Sequence, residues 1–462
     1  MPAPPPARPE VESLQAYSAP LEGRRGLLRL DFNENTVGPS PKVVEAIRAI
    51  PADQYAIYPE YDGLREAVLA SLAAMPGASV AAAPSMAPLP SNAPSVAPAI
   101  RADGVLAPVM GSLPQPSARR PSLRIEQVGL FNGVDAAIHA LFQAYGAPGD
   151  RLLTTSPTFG YYTPCARMQG MVIEAIPYRM PDFAFPFEEI LAALTTPPAG
   201  VDGSWRPPRL LLLCNPNNPT GTRLAPEAVL ALATAAPHTL VVVDELYEAF
   251  TGDSVLPLLL APAGRQDPEG QKAGDASARA AGAAAAPETA SPETAALATA
   301  AGADPFAACP NLLVLRSLSK TAGIAGLRIG FAIGAAAVVD RVSRVTGPYD
   351  INSFAVTAAF AALADQAYVD AYVAEVLAAR QWLVERLVAA GVRHHVDGGN
   401  YLLIWPQRPA AEVDQALREA GILVRTMAGK PLIDGSLRVS LGTLEQMGRF
   451  WEAFAICDAR PV

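Results

Sequence analysis

Leu312-Leu313-Val314-Leu315-Arg316 runs into Ser317-Leu318-Ser319-Lys320, and Thr321-Ala322-Gly323-Ile324-Ala325-Gly326-Leu327-Arg328 follows. The apolar run reads as a buried strand, and the lysine stands just beyond its end. A cation there is costly unless it has a task. One task is a Schiff base with a carbonyl cofactor, chiefly pyridoxal 5'-phosphate. The hydroxyls of Ser317 and Ser319, with the Arg328 guanidinium, would then grip the cofactor's phosphate. The plain alternative is a lysine on a solvated turn, and one motif does not decide between them.

Working outward, the same pattern of a buried strand with unusual chemistry at its end occurs twice more. Leu240-Val241-Val242-Val243 is a β-branched run of the kind found in parallel strands covered on both faces. It ends in Asp244-Glu245-Leu246-Tyr247. The Asp244 carboxylate therefore lies at a carboxyl end, where open α/β sheets bind ligands. It could equally cap a neighbouring helix. Arg209 to Leu213 is a leucine-rich strand that ends in Cys214-Asn215-Pro216-Asn217-Asn218-Pro219-Thr220-Gly221. Its asparagines could donate to a ligand oxygen. Ile125 to Leu130 reads as a strand broken by Phe131-Asn132-Gly133, with Val134-Asp135 opening a helix. Free N–H groups at such a helix start make a phosphate seat, although an ordinary strand-to-helix turn looks the same. Arg151 to Thr155 is a strand followed by Ser156-Pro157-Thr158-Phe159. An aromatic there could stack on a flat ring or simply join the core.

The N-terminal part reads as an arm. Leu28 to Phe32 is extended, and Asn33-Glu34-Asn35-Thr36-Val37-Gly38-Pro39-Ser40-Pro41 has turn chemistry. Ser40 is the expected N-cap of a helix opening at Pro41. Residues 76–123 and 262–308 are Pro/Ala/Ser- and Ala/Gly-rich, with Pro-Glu-Thr-Ala in tandem in the second. Neither composition supports a packed core, so both read as insertions. Past Gly347-Pro348, helices alternate with the short strands Tyr401–Trp405, Ile422–Arg425 and Leu437–Leu441, as in a separate α+β domain. The expected organisation is an arm over 1–50 that joins the small domain, a large α/β domain over 51–347 with a mostly parallel sheet between helices, and the small domain over 348–462.

Composition narrows the classes. The chain has 462 residues, is 50% apolar and carries a net charge of −9, with no basic stripe for nucleic acid. No apolar run is long enough to span a bilayer, and Met1 to Pro9 lacks an apolar signal core. The four cysteines and four histidines are scattered without metal-ligand or disulfide spacing. These features fit a reduced, cytoplasmic enzyme without a catalytic metal.

Taken in order, Asn33-Glu34-Asn35, Tyr58-Pro59-Glu60, Asn132-Gly133-Val134-Asp135, Pro157-Thr158-Phe159, Asn217-Asn218-Pro219-Thr220-Gly221, Asp244-Glu245-Leu246-Tyr247, Ser317-Leu318-Ser319-Lys320 with Arg328, and Leu437-Arg438-Val439-Ser440-Leu441-Gly442-Thr443 resemble the class I/II aminotransferases of pyridoxal-phosphate fold type I. The likeness is strongest to histidinol-phosphate aminotransferases. Leu246 stands where the family often has alanine, and the two insertions are longer than the family's connections. The resemblance implies that Lys320 binds pyridoxal 5'-phosphate covalently and serves as the base. It implies that Asp244 faces the pyridine nitrogen, that Asn218 and Tyr247 face the phenolic oxygen, and that Phe159 stacks on the ring. Gly133, Val134, Ser317, Ser319 and Arg328 would hold the phosphate, with Tyr58 reaching in from a second subunit of a homodimer. Arg438, Arg425, Tyr17 and Asn35 would meet the amine substrate, histidinol phosphate, with 2-oxoglutarate as the 2-oxo acid acceptor. An aromatic or other amino-acid aminotransferase, or a decarboxylase of a phosphorylated amino acid, would look nearly the same. Ser-x-x-Lys also occurs as the acylating motif of penicillin-binding enzymes, but that chemistry needs a Lys-Thr-Gly element, which this chain lacks.

Overall fold

The computed structural model describes residues 4–14, 22–74, 122–197, 205–260 and 304–459. Tyr17 and nearly all of the two low-complexity segments lie outside them. The strands are β1 (Leu28–Arg29), β2 (Val128–Phe131), β3 (Arg151–Ser156), β4 (Val172–Pro177), β5 (Leu210–Cys214), β6 (Leu240–Asp244), β7 (Leu312–Ser317), β8 (Gly330–Gly334), β9 (Arg393–His395), β10 (Tyr401–Trp405), β11 (Ile422–Leu423), β12 (Arg425–Thr426) and β13 (Leu437–Ser440).

Seven of them form one sheet in the order β2-β8-β7-β6-β5-β3-β4. Only β8 runs against its neighbours; β4, β3, β5, β6 and β7 pair in parallel. This is the α/β architecture expected. Every residue of β5 and β6 is buried, which is why their sequences are unbroken apolar runs rather than alternating ones. The register places Cys214, Asp244 and Leu315 side by side at the carboxyl edge. The helix Val134–Tyr145 buries Ala137, Ile138, Leu141 and Phe142 against this sheet.

A four-stranded antiparallel sheet, β12-β13-β10-β9, and the parallel pair β1-β11 form the C-terminal part. The stretch Ile422–Arg425 is not one strand. Ile422 and Leu423 pair with Leu28 and Arg29, whereas Arg425 and Thr426 pair with Arg438 and Leu437. The chain changes partner at Val424, and this stitches the N-terminal arm onto the C-terminal part. The Ser440 amide also donates to the Leu30 carbonyl at 2.9 Å. Ile125–Gln127, read as strand, is a 3-10 turn because the Gln127 side chain accepts from the Arg124 amide at 2.9 Å. Ser40 does cap the helix Pro41–Arg48, accepting from the Val43 amide.

Behind the carboxyl edge lies a buried ion cluster. Arg316 on β7 donates to Glu245 Oε2 at 2.9 Å and to Ser254 Oγ at 2.7 Å, and also pairs with Glu248. Glu245 Oε1 accepts from the Val255 amide at 2.9 Å. Burial pulls the Arg316 guanidinium down, while Glu245 holds it charged. Breaking a buried pair by removing one partner leaves an uncompensated charge and costs roughly 3–5 kcal/mol. Glu245→Ala should therefore lose stability on that scale in urea unfolding. A loss below ~1 kcal/mol, the level of a surface pair, would contradict this account.

Candidate active site

The ends of β5, β6 and β7 lie side by side at one edge of the sheet. Asp244, only 2% exposed, accepts from the Tyr162 hydroxyl at 2.8 Å and from the Leu246 amide at 3.2 Å. Burial pushes its carboxyl up to about 6, against those two hydrogen bonds. Both recorded donors are neutral. Tyr162 had no role in the sequence reading, although the aromatic run Phe159-Gly160-Tyr161-Tyr162 after β3 was its signal. It opens the helix Tyr162–Met168, and Phe159 meets its ring edge-on at 5.4 Å between centroids.

From the β5 loop, Asn218 Nδ2 donates to the Tyr247 hydroxyl at 3.3 Å, while Asn33 Nδ2 donates to the same oxygen at 3.1 Å. Asn218 Oδ1 accepts from Arg438 Nη1 at 2.6 Å, and Arg438 Nη2 donates to the Asp31 carbonyl at 2.6 Å. Arg438, Asn218, Tyr247 and Asn33 thus form one chain of hydrogen bonds across the carboxyl edge. Burial is the main cause that pushes the Tyr247 phenol up, and Arg438 opposes it.

Lys320, partly buried, donates to the Phe32 carbonyl at 2.9 Å. Burial pushes its ammonium down to about 8, with Arg438 and Arg328 adding to the shift and Glu34 and Asp135 opposing it. Its loop is packed tightly on the arm. Gly323 has φ +72, and any Cβ there would collide with the Gly38 backbone.

The helix start at Gly133 has φ +80 and no side-chain cap. A Cβ on Gly133 would lie 2.6 Å from Arg328 Nη2, so the bare glycine lets the guanidinium lie on the helix start. Arg328 is held by Asp135 at 2.8 Å and the Ala325 carbonyl at 3.2 Å. Ser317 Oγ stands 2.8 Å from Ser319 Oγ, with the Ser319 amide donating to it at 3.0 Å. Asn132 Oδ1, just before this helix start, is buried and has no hydrogen-bond partner among the described residues.

The remaining expected residues fall as follows. Arg425 and Arg438 are directly opposed in the β12–β13 ladder, and the Arg425 guanidinium is 5.7 Å from the Phe32 ring centroid. Asn35 is engaged by backbone: its Nδ2 donates to the Thr321 carbonyl at 2.8 Å, and its Oδ1 accepts from the Val37 and Gly38 amides at 2.9 Å each. Tyr58 is 71% exposed and stacks on Tyr349 with 4.1 Å between ring centroids. Among the described residues no group of three or more side chains is placed to hold a metal ion, and no helix is long and apolar enough to cross a membrane.

A mostly parallel seven-stranded sheet between helices, with Lys320 and the buried Asp244 at its carboxyl edge, is the architecture of the fold-type I class of enzymes. The chain belongs to the family of class I and II aminotransferases, whose model matches residues 119–454. A histidinol-phosphate aminotransferase of Symbiobacterium thermophilum is 30% identical over 434 residues, covering 93% of this chain and 90% of the relative. Histidinol-phosphate aminotransferase 1 of Bradyrhizobium diazoefficiens is 28% identical, covering 96% and 97%. In fold, the chain is similar to the histidinol-phosphate aminotransferase of Sinorhizobium meliloti in complex with pyridoxal-5'-phosphate, with TM-score 0.67, 21% identity and 98% of both chains covered. It is also similar to Thermus thermophilus aspartate aminotransferase with maleate, with TM-score 0.60, 22% identity, and 93% and 91% covered.

Proposed function

We propose that this aminotransferase uses pyridoxal 5'-phosphate and acts on histidinol phosphate, with 2-oxoglutarate as the amino acceptor, in a ping-pong cycle. The observation that carries the cofactor reading is Asp244. A carboxylate so buried, whose recorded hydrogen-bond donors are neutral, fits the protonated ring nitrogen of a pyridine. The uncapped helix start at Gly133 and the Arg328 guanidinium fit a phosphate. When bound, the cofactor supplies a carbonyl for the amine and a cationic ring that withdraws electrons from the substrate carbon.

The chain's own residues do the rest. Lys320 Nζ is the attachment point, and once released it is a base. With its ammonium pushed down to about 8, a useful fraction is deprotonated at neutral pH, so Nζ can take the proton from the substrate carbon and return it elsewhere. Asp244 keeps a positive charge at the ring nitrogen. Tyr247 and Asn218 would hold the phenolic oxygen, and Phe159 would pack against the ring. Tyr58 is exposed in a single chain, which supports the reading that it serves a second subunit of a homodimer. Sedimentation of the active enzyme as a monomer would exclude that arrangement.

Arg425 and Arg438 support the substrate. Like charges directly opposite in an antiparallel pair repel, and a dianionic phosphate relieves that repulsion with planar guanidinium forks on one sheet face. The curated relatives described above carry the same substrate in their names. Arg438→Ala should lower kcat/KM for histidinol phosphate roughly 10–100-fold, the worth of one charge-assisted contact. The test is steady-state kinetics on histidinol phosphate, phenylalanine, tyrosine, aspartate and threonine phosphate. A higher kcat/KM for a carboxylated amino acid, or an Arg425→Ala enzyme unchanged on histidinol phosphate, would overturn the substrate assignment.

A further inference from the structure

Lys320 finds its acceptor on a segment far away in sequence, and that segment, Asp31 to Asn35, belongs to no strand or helix. No ladder therefore fixes the direction of the Phe32 carbonyl. Three successive carbonyls nonetheless each have a donor: Arg438 at Asp31, Lys320 at Phe32 and Asn400 at Asn33. Asn33 itself is in the left-handed region, at φ 53, a conformation that persists only when its surroundings hold it.

Arg24 does much of that holding. Its guanidinium grips Asp31 in a two-bond fork, Nε to Oδ2 at 3.0 Å and Nη2 to Oδ1 at 2.7 Å. It also grips Glu34, Nη1 to Oε1 at 3.2 Å and Nη2 to Oε2 at 2.8 Å. It lies over the Phe32 ring, 4.3 Å from the centroid. Planar forks of this kind fix geometry as well as charge. Glu34 also meets Arg29 at 3.3 Å. Glu34 and Arg29 line a cavity of about 270 Å³ together with Ser319 of the lysine loop.

We propose that Arg24 is a positioning residue for the reaction: by gripping Asp31 and Glu34 on either side of Phe32, it aims the Phe32 carbonyl at the Lys320 ε-amino group and neutralises the Glu34 carboxylate beside it. The inference rests on the reading of Lys320 as the attachment lysine and base, and extends it to how that amine is held when free.

The charge bookkeeping around Lys320 gives the sign of the test. The charged groups acting on the amine are Arg438 from β13, Arg328 from its own loop, Asp135 from the helix after β2, and Glu34 from the arm. Asp135 is neutralised by Arg328, and Glu34 by Arg24 and Arg29. Burial pulls the Arg24 guanidinium down, but Asp31 and Glu34 outweigh it and hold it above its ordinary value, so Arg24 does not titrate where Lys320 does. Removing Arg24 leaves Glu34 less neutralised, which favours the protonated amine. Removing the Glu34 charge does the reverse.

The experiment follows Lys320 in the full-length protein freed of carbonyl ligands, using acetic anhydride at a series of pH values and mass spectrometry of the Lys320 peptide. Arg24→Gln should raise the pH midpoint of acetylation by about one unit, and Glu34→Gln should lower it by a similar amount, as expected of one nearby charge. Arg24→Lys, which keeps the charge without the fork, should restore most of the midpoint. In the loaded enzyme Arg24→Gln should lower kcat about tenfold with KM little changed. Midpoints equal to wild type in both Arg24→Gln and Glu34→Gln would reduce Arg24 to an anchor of the arm and overturn the proposal. If Arg24→Gln does not fold, Arg24→Lys decides through kcat: loss of the fork should lower kcat at a near-wild-type midpoint, and a wild-type kcat would overturn the proposal. An active Lys320→Ala enzyme would refute the underlying reading of Lys320 without touching these midpoints, so the two failures are distinguishable.

Discussion

Lys320→Ala should give a protein that folds but scarcely turns over, with kcat lower by roughly 10²–10⁴-fold, the usual contribution of a positioned acid–base group. The reason lies in where the lysine sits. It follows a strand whose residues Leu312 to Leu315 are fully buried, and its ε-amino group has one recorded acceptor, the Phe32 carbonyl. Burial and the two nearby arginines push the ammonium down to about 8. Since the folded state disfavours the charged amine, wild-type stability carries this cost in full below about pH 8. The cost fades as pH rises from there towards the ordinary lysine value near 10.5. Lys320→Ala removes the cost, so the variant should be at least as stable as wild type near neutrality while losing activity. Borohydride treatment of the wild type should abolish the visible band and leave the cofactor's mass on the Lys320 peptide. A Lys320→Ala protein with wild-type turnover, or a label on another lysine, would end the assignment.

How much of this could be read in the sequence depends on where each residue gets its meaning. Lys320, Asp244 and Asn218 were legible because each follows an apolar run that has to be a buried strand, and a polar group at such an end is conspicuous. That the three strand ends share one edge follows from the parallel register of β5, β6 and β7. β8 was not legible: Gly330-Phe331-Ala332-Ile333-Gly334 begins and ends with glycine, and it became a strand because β2 and β7 flank it. β4 lies at the sheet edge with Glu174 among its residues, and its half-exposed pattern gives no strong period. The division of Ile422–Arg425 between two sheets is a tertiary decision, made where Leu28 and Arg29 offer a partner. The Tyr162 hydroxyl on Asp244, the Asn33 amide on Tyr247 and the Arg24 grip on the arm join residues 82, 214 and 7–10 positions apart. For the first two, no local pattern announces a partner so distant. Asn35 shows the opposite case: its motif is conspicuous, yet its side chain is engaged in holding the turn and the lysine loop together.

Asp244→Asn should separate function from stability. Asparagine keeps the size of the side chain, can still accept from the Leu246 amide, and can donate to the Tyr162 hydroxyl, so the carboxyl edge should stay intact. What is lost is the charge. A carboxylate within hydrogen-bond distance shifts a partner's pKa by about 1–3 units, so a ring nitrogen there would lose up to roughly 10³-fold in protonated fraction at working pH. kcat should fall by about that factor, roughly 10²–10³. Stability should move the other way in protein without cofactor. Burial raises the Asp244 carboxyl from 3.8 to about 6, so the folded state holds its proton more tightly than the unfolded chain. The cost of ionising it is absent below pH 3.8, grows between 3.8 and 6, and is present in full above 6. That difference corresponds to ~3 kcal/mol. Asp244→Asn without cofactor should thus be more stable than wild type above pH 6, and the gain should vanish as pH falls through that window. With cofactor bound, a cation at the ring nitrogen favours the ionised carboxylate, and the ranking should reverse. Urea unfolding of both proteins at pH 4 and pH 8, with and without cofactor, gives the four stability differences. Unchanged turnover, together with equal stability at pH 8, would show that Asp244 only caps the strand end and that the positive partner assigned to it is wrong.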